Sequence, residues 1–442
     1  MDLKATLLKI QIEALTAVNP AKAVHSFLQC DGDELRIAEH TLILADIERV
    51  FCIAVGKASV PMATAAATVL GAHLTSGLVV TKYAHATEHG LPETLRVFEA
   101  GHPVPDAAGL AAAQELVGLL AQTRPRDLVL LLISGGASAL LPFPAPALTL
   151  TDLQQTTDLL LRAGATIGEL NAVRKHLSGL KGGQLVRRAM PATLVALILS
   201  DVIGDALDVI ASGLTAPDST TFTDAERVLL QHDVWAHVPE AVRHHIQRGV
   251  RGVLSDTPKA DDAVFDSVRN YIIASNRQAA LAAQRCARQL GFNTLLLSTF
   301  VEGEAREVAH VIAALAKSIR VYGEPVPAPA CLVMGGETTV TVRGSGKGGR
   351  NQEMALAVAL ALDGMADVAF MALATDGTDG PTDAAGAVVD DRTLSRIHTC
   401  GGDPYAALHN NDTYPLLQSI GALLHTGPTG TNVNDLMVLL VM

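Results

Sequence analysis

Cysteine pairs are missing from this chain of 442 residues. Its five cysteines are spread along the sequence, and no two of them form a CxxC motif. Scattered cysteines of this kind are typical of reduced core residues in a cytosolic protein rather than of a disulfide framework. The sequence therefore predicts free, reduced thiols.

Targeting and membrane segments are also missing. Residues 1–15 lack the basic region and the long apolar run of a signal peptide. Residues 128–150 carry no charge, but two glycines and three prolines interrupt them, which indicates a buried strand followed by a loop rather than a membrane span. We therefore expect a soluble cytoplasmic protein without a membrane partner.

Positive charge is scarce as well. Lys and Arg total 33 against 45 Asp and Glu, so the formal net charge is −12. Because no basic stripe is evident, a nucleic-acid partner is not expected. A few local Lys and Arg residues can still bind a small anion, so an anionic substrate stays open.

Apolar residues and glycine are plentiful, and they predict the fold class. The chain is 49% hydrophobic and 18% charged, with 37 glycines, and its length favours two domains. Runs of Val, Ile and Leu alternate with Ala-rich helical segments, which is typical of a parallel sheet covered on both faces. The predicted strands are residues 49–55, 77–81, 95–100, 127–134 and 193–201, then 271–275, 293–298, a tight pair at 331–336 and 337–342, and 368–377.

The segment GSGKGGRNQE, residues 344–353, looks like a phosphate-binding loop but does not match one. The P-loop pattern requires a glycine where Thr341 stands and a hydroxyl residue where Gly348 stands. Without that hydroxyl a Mg²⁺ ligand is missing. The glycines and charges of this segment therefore need another explanation.

Two glycine-containing turns follow predicted strands, at the carboxyl ends where open sheets bind ligands. In AVGKAS, Lys57 opens a helix whose positive end favours an anion, and a solvent-facing lysine is the alternative. In ISGGASALL, Gly135 and Gly136 let backbone N–H groups approach a phosphate, with hydroxyls from Ser134 and Ser138. A tight strand-to-helix turn without a ligand is the alternative there.

A cluster of cations lies in NAVRKHLSGLKGGQL, residues 171–185. On a helix, i, i+3 and i+4 spacing would bring four side chains to roughly one face. These side chains are Arg174, Lys175, Ser178 and Lys181. Such a face predicts anion binding, and a solvated charged face is the alternative.

Acidic residues follow two further strands. Asp201 ends one strand, and Asp376, Asp379 and Asp383 lie among glycines after another. These carboxylates can hold Mg²⁺, act as a base or cap a turn, although the spacing is not that of an EF-hand. HATEH, residues 85–89, matches a zinc-protease string, but Gly90 and Pro92 would end the helix that such a site needs, so zinc is not expected.

Taken together, the chain resembles the class II glycerate 2-kinases, whose second half carries the MOFRL domain. The resemblance runs from the first helix to Met442. The strings that carry it are AVGKAS, HPVPD (102–106), SGGASALL, NAVRKHLSGLKGGQL, SDVIGD, SGLTAPD (212–218), GGETTV (335–340), GKGGRNQE and ATDGTDGPTDAAG.

The resemblance implies two non-similar α/β domains. We assign residues 1–230 to a domain with a Rossmann-like, doubly wound, mainly parallel sheet. Residues 231–442 form a smaller α/β domain with a mixed sheet, which includes the MOFRL region at about 328–440. The first 35 residues can pack on the second domain instead of the first.

The resemblance also implies ATP-dependent phosphorylation of D-glycerate at its 2-hydroxyl, with Mg²⁺ or another divalent cation, in a cleft between the domains. Lys57 and Arg350 match the family's proposed catalytic pair, and we expect both to contact substrate together with Asn351. Asp201 and Asp376 are the candidate proton acceptors, and the metal ligands stay unassigned. The residues expected to bind nucleotide phosphates are Ser134, Gly135, Gly136, Ala137, Ser138, Lys175 and Lys181.

Two other functions stay open. Family members often carry the label hydroxypyruvate reductase, but no GxGxxG fingerprint follows a strand here, which argues against a dinucleotide-dependent reductase. A non-catalytic protein that binds a small anion is the third hypothesis. A homo-oligomer is compatible with each of the three.

Overall fold

The computed structural model describes residues 2–86 and 90–442. The chain divides into two compact units. The N-terminal unit comprises residues 20–200 and 205–273, and the C-terminal unit comprises residues 1–19, 201–204 and 274–442. No helix in the described ranges is long and apolar enough to cross a membrane.

The first helix, α1 (Leu3–Ala17), belongs to the C-terminal unit. Asp2 caps it by accepting from the amide of Ala5. Leu7, Ile10 and Ala14 are fully buried at helical spacing in the core of that unit. The helix therefore packs on the second of the two predicted domains.

The N-terminal unit contains nine helices and nine strands among its described residues. The helices are α2 (Pro20–Phe27), α3 (Ser59–Leu70), α4 (Ala107–Leu120), α5 (Ala137–Leu140), α6 (Leu150–Arg162), α7 (Ile167–His176), α8 (Gln184–Ala189), α9 (Phe222–Gln231) and α10 (Glu240–Val250). The strands are β1 (Leu28–Asp31), β2 (Glu34–Ile37), β3 (His40–Ile43), β4 (Arg49–Val55), β5 (Leu74–Lys82), β6 (Leu95–Ala100), β7 (Asp127–Ile133), β8 (Thr193–Leu199) and β9 (Val268–Ala274).

The main sheet of this unit has the strand order β6-β5-β4-β7-β8-β9. The pairs from β6 through β8 are parallel. The order runs outward from β4 in one direction and then from β7 in the other, as in Rossmann-like folds, which confirms the predicted doubly wound sheet. Strands β1 to β3 form a separate antiparallel sheet that the sequence did not predict.

The N-terminal unit extends further along the chain than residue 230. Helices α7, α9 and α10 share one apolar core, to which Val173, Val228 and Ile246 contribute. Strand β9 then adds the sixth strand to the main sheet. Because these long-range contacts hold residues 231–273 to the N-terminal unit, the C-terminal unit resumes only at Ala274.

The C-terminal unit adds six helices and six strands to α1 within the part described. The helices are α11 (Asn276–Gln289), α12 (Ala305–Tyr322), α13 (Arg350–Ala361), α14 (Thr393–Thr399), α15 (Pro404–His409) and α16 (Thr413–Ser419). The strands are β10 (Asn293–Val301), β11 (Ala330–Gly336), β12 (Val368–Ala374), β13 (Gly386–Asp390), β14 (Leu423–Leu424) and β15 (Asp435–Val441).

The C-terminal sheet is mixed, as predicted, with the order β10-β11-β15-β12-β13-β14. Strands β10 and β11 are parallel, and the other neighbours are antiparallel. Alternate residues of β12 enter two cores on opposite faces: Phe370 packs with the core of α12 and α13, and Met371 with that of α1 and α11. The register sets Asp435 opposite both Gly336 and Ala374, so β11 and β12 end where β15 begins.

Candidate functional site

Two turns meet in the N-terminal unit where β4 and β7 end, at the point where the strand order reverses. The amide of Lys57 donates to the carbonyl oxygen of Gly135 at 2.9 Å, and the amide of Ala58 donates to the hydroxyl oxygen of Ser134 at 3.0 Å. Open α/β sheets bind ligands in the crevice at such a reversal. Because these amides are used inside the protein, the Lys57 side chain is the group that the first turn can offer to an anion.

The second turn keeps backbone donors available. The amides of Gly135, Gly136 and Ser138 have no acceptor in the described part of the chain. Ala137 is buried, and its amide donates to the Ser134 carbonyl oxygen at 3.4 Å. The turn therefore presents three N–H groups that can bind an anion.

Gly136 lies against the side chains of His102 and Lys57. It has a φ of 89°, a left-handed conformation that favours glycine. A Cβ atom at this position would lie 3.0 Å from Cδ2 of His102 and 3.5 Å from Cγ of Lys57. Lys57, His102 and the Gly136 backbone therefore surround one small space, which any larger residue at position 136 would fill.

A cavity of about 700 Å³ opens beside this turn, within the N-terminal unit. Helices α6 and α7 and the loop 102–105 form its walls. Apolar side chains of the lining include Val104, Leu153, Leu161 and Val173. The polar residues of the lining include His102, Gly136, Ser138, Arg174 and Lys181, and also Gln154, Thr156 and Asp158 of α6. An apolar wall with a few convergent polar groups is typical of a small-molecule site.

Two cationic side chains, Lys181 and Arg174, line the cavity. The Lys181 ammonium is buried and donates to the carbonyl oxygen and the hydroxyl oxygen of Ser138 at 2.5 and 3.1 Å. Burial, with the nearby positive charge of Arg174, lowers the pKa of Lys181 to about 7. Burial also lowers the pKa of Arg174, which pairs with no carboxylate among the described residues. A bound anion would stabilise both charged forms.

The turn is held in place by a chain of side-chain hydrogen bonds. The hydroxyl oxygens of Ser138 and Ser212 lie 2.8 Å apart, and Ser212 donates to the side-chain oxygen of Asn171 at 3.1 Å. Ser212 and Asn171 are both buried. Lys181, Ser138, Ser212 and Asn171 thus connect three segments that are distant in sequence.

The predicted cationic helix face is wrong. The sequence placed four residues on one face of a single helix: Arg174, Lys175, Ser178 and Lys181. Helix α7 ends at His176. There the chain leaves the helix to pair with the loop after α5, where the amide of Gly179 donates to the carbonyl oxygen of Phe143 at 2.8 Å. Tertiary contacts, not helical spacing, bring Arg174 and Lys181 together at the cavity.

Lys175 points into the protein rather than into the cavity. It is buried, and its ammonium nitrogen lies 3.3 Å from the carboxylate of Asp218 and 3.5 Å from that of Asp208. Asp218 is also buried and accepts from the hydroxyl of Thr257 at 3.0 Å. In this structure Lys175 neutralises a buried carboxylate.

A second group of polar residues lies in the C-terminal unit, where β11 and β12 end and β15 begins. Arg350 opens α13, and its Nε and Nη2 donate to the two carboxylate oxygens of Asp435 at 2.6 and 3.0 Å. Its Nη1 lies 3.2 Å from the carboxylate of Glu337. Two of the five guanidinium N–H groups, one on each terminal nitrogen, stay available for a ligand.

The N-terminus of α13 is capped by a buried carboxylate. Asp379 accepts from the backbone and side-chain nitrogens of Asn351 at 3.1 and 3.2 Å, and from those of Gln352 at 2.9 and 3.1 Å. Burial raises the pKa of Asp379 to about 6, although these bonds oppose the shift. Asn351 is fully buried, so in this structure it supports the start of α13 rather than facing solvent.

The glycine-rich loop 344–349 packs against the segment 410–413. Its amides are satisfied there: that of Gly344 donates to the side-chain oxygen of Asn411 at 3.1 Å, and that of Lys347 to the carboxylate of Asp412 at 2.9 Å. A Cβ atom at Gly344 would collide with Asn410. The glycines therefore permit close packing, which agrees with the exclusion of a P-loop.

The two candidate proton acceptors follow strands as predicted. Asp201 follows β8 and is grouped with the C-terminal unit. Asp376 follows β12, and its carboxylate accepts from the amide and hydroxyl of Thr378 at 3.0 and 3.3 Å. No group of three His, Cys, Asp or Glu that could hold a metal ion occurs within the described ranges. Of the zinc-like string, residues 87–89 lie outside those ranges.

Comparison with known proteins identifies the family. A model for a domain of unknown function, DUF4147, matches residues 6–247, and the MOFRL family model matches residues 330–435. A glycerate 2-kinase from Pyrococcus horikoshii and a D-glycerate 2-kinase from Thermotoga maritima are each 42% identical over 100% of this chain and 98% and 99% of their own lengths. The chain belongs to the class II glycerate 2-kinase family.

Further members of the glycerate 2-kinase family agree in fold and differ in label. The crystal structure of a glycerate kinase from Thermotoga maritima has a TM-score of 0.89 at 42% identity, and the match covers 100% of this chain and 99% of that one. A relative from Agrobacterium vitis, provisionally named a hydroxypyruvate reductase, is 43% identical over 89% of this chain and 87% of its own length.

Several residues at these two sites were missed from sequence. His102 lies in HPVPD, one of the strings on which the resemblance to the glycerate 2-kinases rests. No role was predicted for this histidine from the sequence. Asp435 and Glu337 each lie at the end of a buried strand. Asp435 begins a seven-residue strand that is otherwise apolar, and a single acidic residue in that position could have indicated a site residue. Nothing local to Ser212 indicated that it would meet Ser138, because they are 74 residues apart.

The pair of Arg350 and Asp435 predicts a stability change. Arg350→Ala leaves the carboxylate of Asp435, which is 0% exposed, without its counter-charge. We expect the free energy of unfolding to fall by up to about 3–5 kcal/mol, measured by urea denaturation. The double variant Arg350→Ala, Asp435→Asn also removes the unpaired negative charge of Asp435. Its free energy of unfolding should therefore be higher than that of Arg350→Ala alone. Equal urea midpoints of unfolding for Arg350→Ala and the parent protein would contradict the view that the Arg350–Asp435 pair stabilises the fold.

Proposed function

We propose that this protein transfers the γ-phosphoryl group of ATP to the 2-hydroxyl of D-glycerate, giving 2-phosphoglycerate and ADP. The observation that carries the proposal is the group of anion-binding donors at the switch point. It combines the amides of Gly135, Gly136 and Ser138, which have no acceptor among the described residues, with the cations Arg174 and Lys181. Relatives named for this activity match the whole chain at 42% identity, which supports the same assignment.

In this proposal the nucleotide occupies the cavity of the N-terminal unit. Its phosphates would bind the amides of the second turn, near Arg174 and Lys181, because Gly136, Ser138 and both cations line the cavity. The base would lie along the apolar wall that Leu153 and Val173 help to form. In this proposal the Ser134 hydroxyl holds the two turns together, and Ser138 accepts hydrogen bonds from the Lys181 ammonium. Lys175 stabilises the site indirectly, by neutralising the buried carboxylate of Asp218.

Phosphoryl transfer requires the enzyme to position the reactants and to stabilise negative charge on the group in transit. We assign this charge stabilisation to Lys57 and Arg350. Lys57 has no hydrogen-bond or ion-pair partner for its ammonium in the described part of the chain, so it is available to a phosphate. Arg350 is held in a fixed orientation by Asp435 and Glu337 and keeps two N–H groups for substrate. Asn351 holds the start of α13 and acts on the substrate through Arg350.

A divalent cation would enter with ATP in this proposal. Mg²⁺ is usually bound through one or two carboxylates and the substrate's phosphate oxygens rather than by an all-protein cage. The residues fit such an ion, since Asp376 is half-exposed and, among the described residues, its carboxylate accepts only from Thr378. We propose Asp376 and Asp201 as the carboxylates that would hold it, where it would neutralise phosphate charge.

A hydroxypyruvate reductase is the second candidate, because the sheet has the strand order of dinucleotide-binding folds and some relatives carry that label. The first turn argues against it. In a GxGxxG fingerprint that starts at Gly56, the second and third glycines would stand where this chain has Ala58 and Pro61. Without them a dinucleotide pyrophosphate loses its close backbone approach.

Product analysis tests the proposed function. Purified protein with ATP, Mg²⁺ and D-glycerate should form ADP, and enolase should consume the product directly because the phosphate is on the 2-position. A product that enolase uses only after a mutase is added would show phosphorylation at the 3-position. NADH oxidation with hydroxypyruvate, without ADP formation from glycerate, would instead establish the reductase. Ligand-dependent thermal stabilisation without either reaction would indicate a binding protein.

Lys57→Ala should lower kcat by roughly 10²–10³-fold, because one charge-stabilising donor is lost from the transition state. The fold should persist, since no hydrogen bond or ion pair in the described ranges depends on that ammonium. Lys347→Ala is the matched control. Lys347 lies in the P-loop-like segment and stacks 4.2 Å from the ring centre of Tyr414, so its loss should leave kcat nearly unchanged. A normal kcat for Lys57→Ala would remove Lys57 from the mechanism.

Lys181 predicts proton uptake when a nucleotide binds. With its pKa lowered to about 7, the amine is mostly neutral at pH 8 in the free protein. Bound phosphates favour the charged form and raise that pKa, so up to about one proton should be taken up per ADP at pH 8. Calorimetry in two buffers of different ionisation enthalpy measures this uptake. Lys181→Arg stays charged at this pH and should abolish it, and equal uptake by both proteins would place the phosphates elsewhere.

A further inference from the structure

His102 stands at the carboxyl edge of the N-terminal sheet without a partner. It follows β6 by two residues, is half-buried and lines the cavity. Neither ring nitrogen makes a hydrogen bond with any described residue. A half-buried imidazole without a donor or acceptor is costly unless a ligand supplies one.

The same ring lies next to the place where the phosphoryl group is expected to move. A Cβ atom at Gly136 would lie 3.2 Å from the Nε2 of His102 and 3.5 Å from Cγ of Lys57. A group that reaches the free Gly136 amide therefore lies within reach of both side chains.

The carboxylates of the C-terminal unit are poorly suited to accept a proton from substrate. Asp379 is saturated by four N–H donors, and Asp435 is held by Arg350. Asp376, which accepts from Thr378, and Asp201 are both assigned above to the metal. The attacking hydroxyl must nevertheless lose its proton.

We propose that His102 is the catalytic base that accepts the proton of the attacking 2-hydroxyl of glycerate. This role rests on the proposed kinase function. The bond between the hydroxyl oxygen and its proton breaks, and the proton passes to the lone pair of an unprotonated imidazole nitrogen. The same oxygen forms a bond to the γ-phosphorus, and the bond from that phosphorus to the β,γ-bridging oxygen breaks, so that its electron pair leaves with ADP. The imidazolium then releases its proton to water.

The surroundings keep the imidazole in the form that this step requires. Burial, together with the nearby positive charges of Lys57 and Lys82, lowers the pKa of His102 to about 4. The ring is therefore neutral at neutral pH and can accept a proton. The phosphates of ATP bring negative charge to the same place, which raises the pKa in the complex and strengthens the base when the substrates are bound.

His102→Gln tests the proposal, since glutamine retains polarity and approximate size but cannot accept the proton. With ATP and D-glycerate, kcat should fall by about 10²–10⁴-fold, as is typical for loss of a general base. The Kd for ATP, measured by calorimetry, should change by less than about threefold. The wild-type kcat should decline at acid pH as His102 is protonated, and this acid limb should vanish in the variant. Added imidazole should partly restore turnover.

His85→Gln is the matched control, because His85 is an exposed histidine that lies close to His102 but does not line the cavity. Its kcat should stay within about twofold of wild type. Three results would overturn the proposal: a His102→Gln kcat within tenfold of wild type, an unchanged acid limb, or a loss confined to ATP affinity. Absence of ADP formation by the wild-type protein would instead refute the kinase function, so the two failures are distinguishable.

Discussion

The close approach of two turns, one after β4 and one after β7, determines the geometry of the N-terminal site. A Cβ atom at Gly56 would collide with Ser134, so only glycine permits this contact. Once the turns touch, the Lys57 amide donates to the Gly135 carbonyl oxygen and the Ala58 amide donates to the Ser134 hydroxyl oxygen, which holds them together. The Lys57 side chain, the free amides of the second turn and the mouth of the cavity take their positions from this contact.

The two units differ in how far the polar groups of their candidate sites are hydrogen-bonded within the protein. In the N-terminal unit Arg174, His102 and three amides lack protein partners within the described ranges, a cost that a phosphate-bearing ligand would offset. In the C-terminal unit the carboxylates of Asp379 and Asp435 are buried and almost fully hydrogen-bonded. The first arrangement suits binding, and the second suits holding Arg350 and the start of α13 rigidly.

These differences fit the chemistry of phosphoryl transfer. The reaction needs little covalent participation by the protein, but it needs donors that are already oriented when charge develops. Asp435 and Glu337 orient the Arg350 guanidinium before substrate arrives, at the cost of burying a carboxylate. In the proposed complex, a bound phosphate would stabilise the charged forms of Lys181, whose pKa is lowered to about 7, and of Arg174. The expected shared cleft between the domains stays a prediction.

Part of this protein could be determined from sequence alone. Strands such as 49–55 and 95–100 were predicted at their observed bounds, because a doubly covered sheet demands continuous apolar runs between turns. The glycine-containing turns beside Lys57 and Ser138 were also recognisable, since ligand sites recur at strand ends. The family followed from the order of such strings along the chain.

Tertiary structure alone decided which of these residues meet. Lys175 and Lys181 looked equivalent in sequence, yet one neutralises buried Asp218 and the other lines the cavity, because α7 ends between them. The unit boundary at Ala274 depends on β9 joining a strand from much earlier in the chain. His102 acquires its neighbours only when β6, β5, β4 and β7 assemble into one sheet. Local patterns determine where elements begin and end, but charge pairing and burial depend on contacts between residues that the sequence holds far apart.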